Sequence, residues 1–162
     1  MSSVHNNLSI VKGGEAPSAE EFLFGIVYAE WNSEITEALK NGAINTLLAN
    51  GAKIENILVR SVPGSFELVL GAQYMIEQTE VDAVICLGCV IQGETRHFDF
   101  ICDAVAHGIM QLNIDFELPV IFGVLTTDNQ EQALDRSGGK HGNKGDEAAI
   151  TAIKMLALED SF

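Results

Sequence analysis

The chain has 162 residues, 47% of them hydrophobic, which is enough for one domain to bury its own core without disulfides or a metal. Its formal net charge of −14 argues against nucleic acid and anionic membranes as partners, because both need a basic patch to displace counterions. No apolar run approaches the roughly eighteen residues of a membrane span, the start shows no signal-peptide pattern, and Cys86, Cys89 and Cys102 suit a reducing compartment, so a cytoplasmic location is expected.

In chain order, a short strand is expected at 8–11, followed by the flexible stretch Gly13-Gly14-Glu15-Ala16-Pro17. Residues 22–29 read as a buried strand ending in Glu30-Trp31-Asn32-Ser33, where Asn32 or Ser33 can cap the next helix. That helix carries Ile35, Leu39, Ala43 and Leu47 on one face and stops at Asn50-Gly51. A second strand is expected at 54–61. Val62-Pro63-Gly64-Ser65-Phe66-Glu67 then turns strand into helix, and the helix continues through Met75. Glu67, in the first turn, is read first as compensation of the helix dipole and second as a hydroxyl-binding group.

A third internal strand is expected at 81–91, where residues 84–91 are almost wholly apolar, as in a strand buried on both faces, and helical spacing begins at Phe98. Between them lies Gln92-Gly93-Glu94-Thr95-Arg96-His97. A helix starting just after Thr95 offers unpaired N–H groups and a positive dipole end, an anion site, with His97 in its first turn as an acid/base candidate. Cys86 and Cys89 make a C-x-x-C pair. In a strand, residues three apart point to opposite faces, and no second pair completes a zinc site, so apolar packing is the reading and no metal is expected.

A last strand is expected at 120–125, a short helix at 130–136, and a final helix at 146–158. The stretch Ser137-Gly138-Gly139-Lys140-His141-Gly142-Asn143-Lys144-Gly145 resembles a phosphate cradle without being a P-loop. Of nine Lys and Arg residues, Arg96, Arg136, Lys140 and Lys144 fall in two short loop-like stretches together with His97 and His141. Against the acidic background they read as two half-sites for a small anion.

Strand and helix alternate four times, the pattern of a parallel sheet covered on both faces, and such sheets bind ligands beyond the carboxyl ends of their strands. Those ends hold Trp31-Asn32, residues 62–67, residues 89–97 and the segment from Thr126 on. Trp31 fits partly buried packing and a stacking platform for a flat heterocycle equally well.

Taken together, Trp31-Asn32, Val62-Pro63-Gly64-Ser65-Phe66-Glu67, Gly93-Glu94-Thr95-Arg96-His97-Phe98-Asp99 and Gly138-Gly139-Lys140-His141-Gly142-Asn143-Lys144-Gly145 resemble the 6,7-dimethyl-8-ribityllumazine synthase family of riboflavin biosynthesis. The resemblance spans roughly residues 20–158. It implies a flavodoxin-like α/β sandwich with a four-stranded parallel sheet, one domain over 1–162, and an N-terminal arm, 1–20, pairing with a neighbouring subunit. It implies a transferase that condenses 5-amino-6-ribitylaminouracil, a pyrimidinedione, with 3,4-dihydroxy-2-butanone 4-phosphate, a phosphorylated ketone. No cofactor is implied.

By the same resemblance Trp31 stacks on the ring. Asn32, Ser65, Phe66 and Glu67 hold ring and ribityl chain, and Val90 and Ile91 line the pocket through backbone groups. Gly93, Glu94 and Thr95 donate to phosphate and His97 transfers protons. Arg136 binds phosphate, Lys144 is the motif lysine, and Phe122, Arg136 and Lys144 come from an adjacent subunit. Arg96 departs from the pattern and is expected to face solvent. The short 136–144 loop implies pentamers closing into an icosahedral shell, with riboflavin synthase as an encapsulated partner. The alternatives are a flavin- or phosphate-binding module without turnover and a structural shell protein.

Overall fold

The computed structural model describes residues 16–162. The expected strand at 8–11 and most of the expected arm lie outside the described residues. Strands β1 (Phe24–Ala29), β2 (Ile57–Val62), β3 (Ala83–Ile91) and β4 (Val120–Thr127) form one parallel sheet in the order β2-β1-β3-β4. Helices α1 (Ser33–Ala49), α2 (Leu68–Gln78), α3 (His97–Phe116), α4 (Gln130–Asp135) and α5 (Lys144–Glu159) connect and cover it. This is the flavodoxin-like architecture expected of the sequence, a sheet between two helical layers.

Side-chain alternation along the strands sorts the core into two halves. Ile85, Leu87 and Cys89 of β3 face α1 and α5 with Phe24, Leu39, Leu47 and Ile153. Val84 and Cys86 face α2 and α3 with Leu68, Met75, Val105 and Ile109. All of these side chains are buried, and each Val, Leu, Ile, Phe or Met among them contributes roughly 1.5–3 kcal/mol by leaving water. The unbroken apolar run of β3 is therefore the centre of the molecule, and its end delivers the polar segment 92–97 to the surface.

Several expected boundaries shift for local reasons. Residues Ile54–Asn56 form a single 3-10 turn, and the strand begins only at Ile57. Ser65–Glu67 form a second such turn before α2. Asn32 does precede α1, but it does not cap the helix with its side chain: it adopts a left-handed conformation, φ 60°, which Asn tolerates better than most residues. Gly51 ends α1 region with φ 101°, as the Asn50-Gly51 pair predicts.

The Gly-rich stretch is not an open cradle. Ser137–Gly139 (β5) and Gly142–Asn143 (β6) form a small antiparallel hairpin, with positive φ at Gly138 and Gly142. The His141 and Lys144 N–H groups donate to the carbonyls of Asp135 and Arg136, at 2.9 Å each, so these amides serve the hairpin rather than an anion.

Candidate functional site

The chain runs from β1 to β2 on one side, then crosses to β3 and β4 on the other, so the sheet's switch point lies between the ends of β1 and β3. A cavity of about 740 Å³ opens there. It is lined by Trp31 and Asn32 from the end of β1; Gly64, Ser65, Phe66 and Glu67 from the turn after β2; Cys89, Val90 and Ile91 from β3; and Gly93, Thr95, His97, Phe98 and Ile101 around the start of α3. Ten of the residues expected to bind or react thus meet in one place. Glu94 is exposed and does not line it.

Two contacts fix the rim. The Asn32 side-chain Nδ2 donates to the Cys89 carbonyl at 3.0 Å, locking the end of β1 to the end of β3 across the switch point. Its left-handed backbone aims the side chain there, while its own carbonyl accepts from Ile35 and Thr36 to start α1. Ser65 is buried against β3 at Gly88, where an added Cβ would lie 2.7 Å from the Ser65 Oγ. Gly88 therefore lets the turn after β2 close onto the strand.

Trp31 is 71% exposed within the single chain, and it lines the cavity. His97 is the first residue of α3, with its N–H donating to Thr95 Oγ1 at 3.4 Å and no side-chain cap at Arg96. At Gly93, which is exposed, a Cβ would meet nothing within 4 Å, so the chain itself imposes no steric demand for glycine there.

A second cavity, about 890 Å³, runs along the open edge of β4 between α3 and α5. Phe122, Thr126 and Thr127 of β4 line it with Arg136, His141 and Lys144. Arg136 Nη1 donates to the His141 carbonyl at 2.8 Å and Nη2 to Glu147 Oε1 at 3.0 Å, and Lys144 Nζ donates to Glu147 Oε2 at 3.0 Å. No residue lines both cavities, so the two expected half-sites are separate within one chain. The other two cations of the expected clusters line neither: Arg96 is solvent-facing and pairs with Asp99 at 3.4 Å, and Lys140 pairs with Asp135 at 2.8 Å.

The motif around Lys144 has a mechanical basis. Asn143 Nδ2 donates to the Ala38 carbonyl at 3.0 Å, and its Oδ1 accepts from Gly145 N–H at 2.8 Å, capping α5. A Cβ on Gly145 would sit 1.9 Å from the Leu39 carbonyl oxygen. Lys144 is thereby held between a cap and a backbone contact. Glu147 was not among the expected site residues, although an acid three positions after Lys144 in a helix is a readable pairing signal. Asn143 lay inside the motif but carried no expected role.

Cys86 and Cys89 point into opposite core halves, as strand spacing requires. Burial pushes their thiols up to about 12 and about 11, and the Cys102 thiol is also raised, by burial and by Asp99. Thiols held protonated are poor nucleophiles and poor metal ligands. Among the described residues no group of His, Cys, Asp and Glu is arranged to hold a metal ion, and no helix is long and apolar enough to cross a membrane.

A parallel α/β sheet with a cavity at its switch point, a histidine at a helix start and a separate cationic wall places the chain among α/β proteins whose ligand site lies beyond the carboxyl ends of the strands. The family model for 6,7-dimethyl-8-ribityllumazine synthase matches residues 21–160, and the chain belongs to that family. Proteins of that name from Cytophaga hutchinsonii, Parabacteroides distasonis and Porphyromonas gingivalis are 65%, 54% and 54% identical to it. The matches cover 97%, 96% and 98% of this chain and 98%, 98% and 99% of those proteins.

Proposed function

We propose that the chain is a transferase of riboflavin biosynthesis that condenses 5-amino-6-ribitylaminouracil with 3,4-dihydroxy-2-butanone 4-phosphate. The products are 6,7-dimethyl-8-ribityllumazine, phosphate and water, reached by imine formation, phosphate elimination and ring closure. The observation that carries this reading is the family match over residues 21–160, whose span includes every residue of both cavities.

In this reading Trp31 stacks on the pyrimidine ring, which suits an exposed indole on a cavity wall. Asn32 gives one Nδ2 N–H to the Cys89 carbonyl, which leaves its Oδ1 to accept from the ring and its second N–H to donate. Ser65, Phe66 and Glu67 hold ring and ribityl chain, with Glu67 accepting from a hydroxyl. Val90 and Ile91 contribute backbone groups. Gly93, Glu94 and Thr95 present N–H groups to phosphate, and the open space at Gly93 leaves room for it. Imine formation and phosphate loss need proton transfers, and His97, lining the cavity at the start of α3, is the side chain placed to make them. Departing phosphate needs a fixed cation, and the forked guanidinium of Arg136 supplies one, with Lys144 beside it.

Because Arg136, Lys144 and Phe122 line a different cavity from His97, the complete site takes the second half from an adjacent copy. Exposed Phe100, Met110 and Ile114, which share one face of α3, favour association. We therefore propose a homo-oligomer of pentamers, closed into an icosahedral shell because the 136–144 hairpin carries no insertion, with riboflavin synthase as cargo. The N-terminal arm, 1–20, pairs with a neighbour, the chain is one domain over 1–162, and the location is cytoplasmic.

The test is to mix both substrates with the purified protein, follow lumazine fluorescence, and measure particle mass on the same sample. Enzyme-dependent lumazine formation by a shell-sized particle is expected. Binding of flavin or phosphate without lumazine, or an assembled particle with no turnover, would replace the enzyme reading.

A further inference from the structure

Arg136 and Lys144 line the second cavity, but the acid that holds them does not. Glu147 lies in the first turn of α5 with its side chain 4% exposed. Its two oxygens are divided between two cations: Oε1 accepts from Arg136 and Oε2 from Lys144, each at 3.0 Å. A carboxylate this deeply buried is costly unless every lone pair of consequence is used. Two cations crowded on one wall repel each other, and a shared acid between them offsets that repulsion.

The geometry is that of a bracket. Arg136 is fixed at two corners, by the His141 carbonyl and by Glu147, and its remaining N–H groups are left for the cavity. Lys144 gives one of its three N–H groups to Glu147 and its backbone is fixed by the Asn143 cap and the Gly145 contact. Taking formal charges, two cations and one acid leave the wall one net positive charge.

We infer that Glu147 is a positioning residue for the phosphate half-site, setting the spacing and orientation of Arg136 and Lys144 so that both aim donors at one tetrahedral anion. It does so without touching the substrate. This inference rests on the proposed reading of the second cavity as the phosphate half of the site. The rival explanation is that Glu147 is only an acid compensating the dipole of α5, in which case its loss destabilises the helix without distinguishing one substrate from the other.

The test compares the wild type with Glu147→Gln and Glu147→Asp, using KM for each substrate, kcat, and inhibition by inorganic phosphate. In Glu147→Gln one amide oxygen cannot serve two cations, so KM for the phosphorylated ketone and the phosphate inhibition constant should both rise about tenfold. KM for the pyrimidinedione should stay within about twofold. Glu147→Asp keeps the charge with a shorter reach and should fall between, about threefold weaker for phosphate. An unchanged phosphate constant, equal rises for both substrates, or tighter phosphate binding would each overturn the inference, the last by showing that Glu147 acts only as counter-charge. Should the Gln variant fail to fold, the Asp variant decides by the same criterion. If the wild type itself forms no lumazine, the functional reading fails, and direct phosphate binding by the three proteins still tests the bracket.

Discussion

In the proposed reading His97 and Arg136 divide the chemistry, and their substitutions should fail differently. Replacing His97 by Ala removes the proposed proton carrier from an exposed position, so kcat should drop about ten- to a hundredfold with the melting temperature unchanged. Replacing Arg136 by Ala removes charge-assisted donors, and KM for the phosphorylated ketone should rise about ten- to a hundredfold while that for the pyrimidinedione holds. The cysteines give a check on the core. Cys86 and Cys89 have thiols raised above their ordinary value of 9.0, so folded protein binds more protons than unfolded protein in alkaline solution. Their contribution to stability is complete below pH 9 and is lost as pH climbs through about 11 and about 12, which urea melts across that range would show as a falling midpoint. Residue types were readable here because a histidine at a helix start and a core cysteine need only local pattern. The partners of Arg136 were not, since a side chain's second contact, eleven residues away at Glu147, depends on how α5 lands.

At the level of elements, two glycines separate folding from binding. Gly145→Ala puts a methyl 1.9 Å from the Leu39 carbonyl oxygen, so α5 must move away from α1, and a loss of about 3 kcal/mol or more in chemical denaturation is expected. Gly93→Ala meets nothing, so stability should stay within about 0.5 kcal/mol, whereas the methyl would occupy the room proposed for phosphate and raise KM for the phosphorylated ketone. The four strands and the long helices were legible because apolar runs and 3.6-residue stripes are direct records of burial; Ile35, Leu39, Ala43 and Leu47 of α1 are all buried, as their spacing predicts. Two features were not. Asn32 looks like an ordinary helix cap, but its side chain finds a carbonyl at the end of β3, fifty-seven positions away. The stretch 137–143 reads as an open Gly-rich loop, because a hairpin of five strand residues carries no hydrophobic alternation to reveal it.

For the whole molecule, the sheet order places the histidine cavity at the switch point and the cationic cavity on the open edge of β4. The order of strands in space was not written in the alternation of elements, and so neither was this separation. It carries the central claim, that one reaction runs at a site assembled from two copies of the chain. The most direct measurement is complementation: co-express a Trp31→Ala, His97→Ala chain with an Arg136→Ala chain and assay the mixed particles for lumazine formation. With sites shared between neighbours, random mixing rebuilds about a quarter of them intact, so activity well above either parent is predicted. Mixed particles no more active than the two variants alone would show that each chain completes its own site.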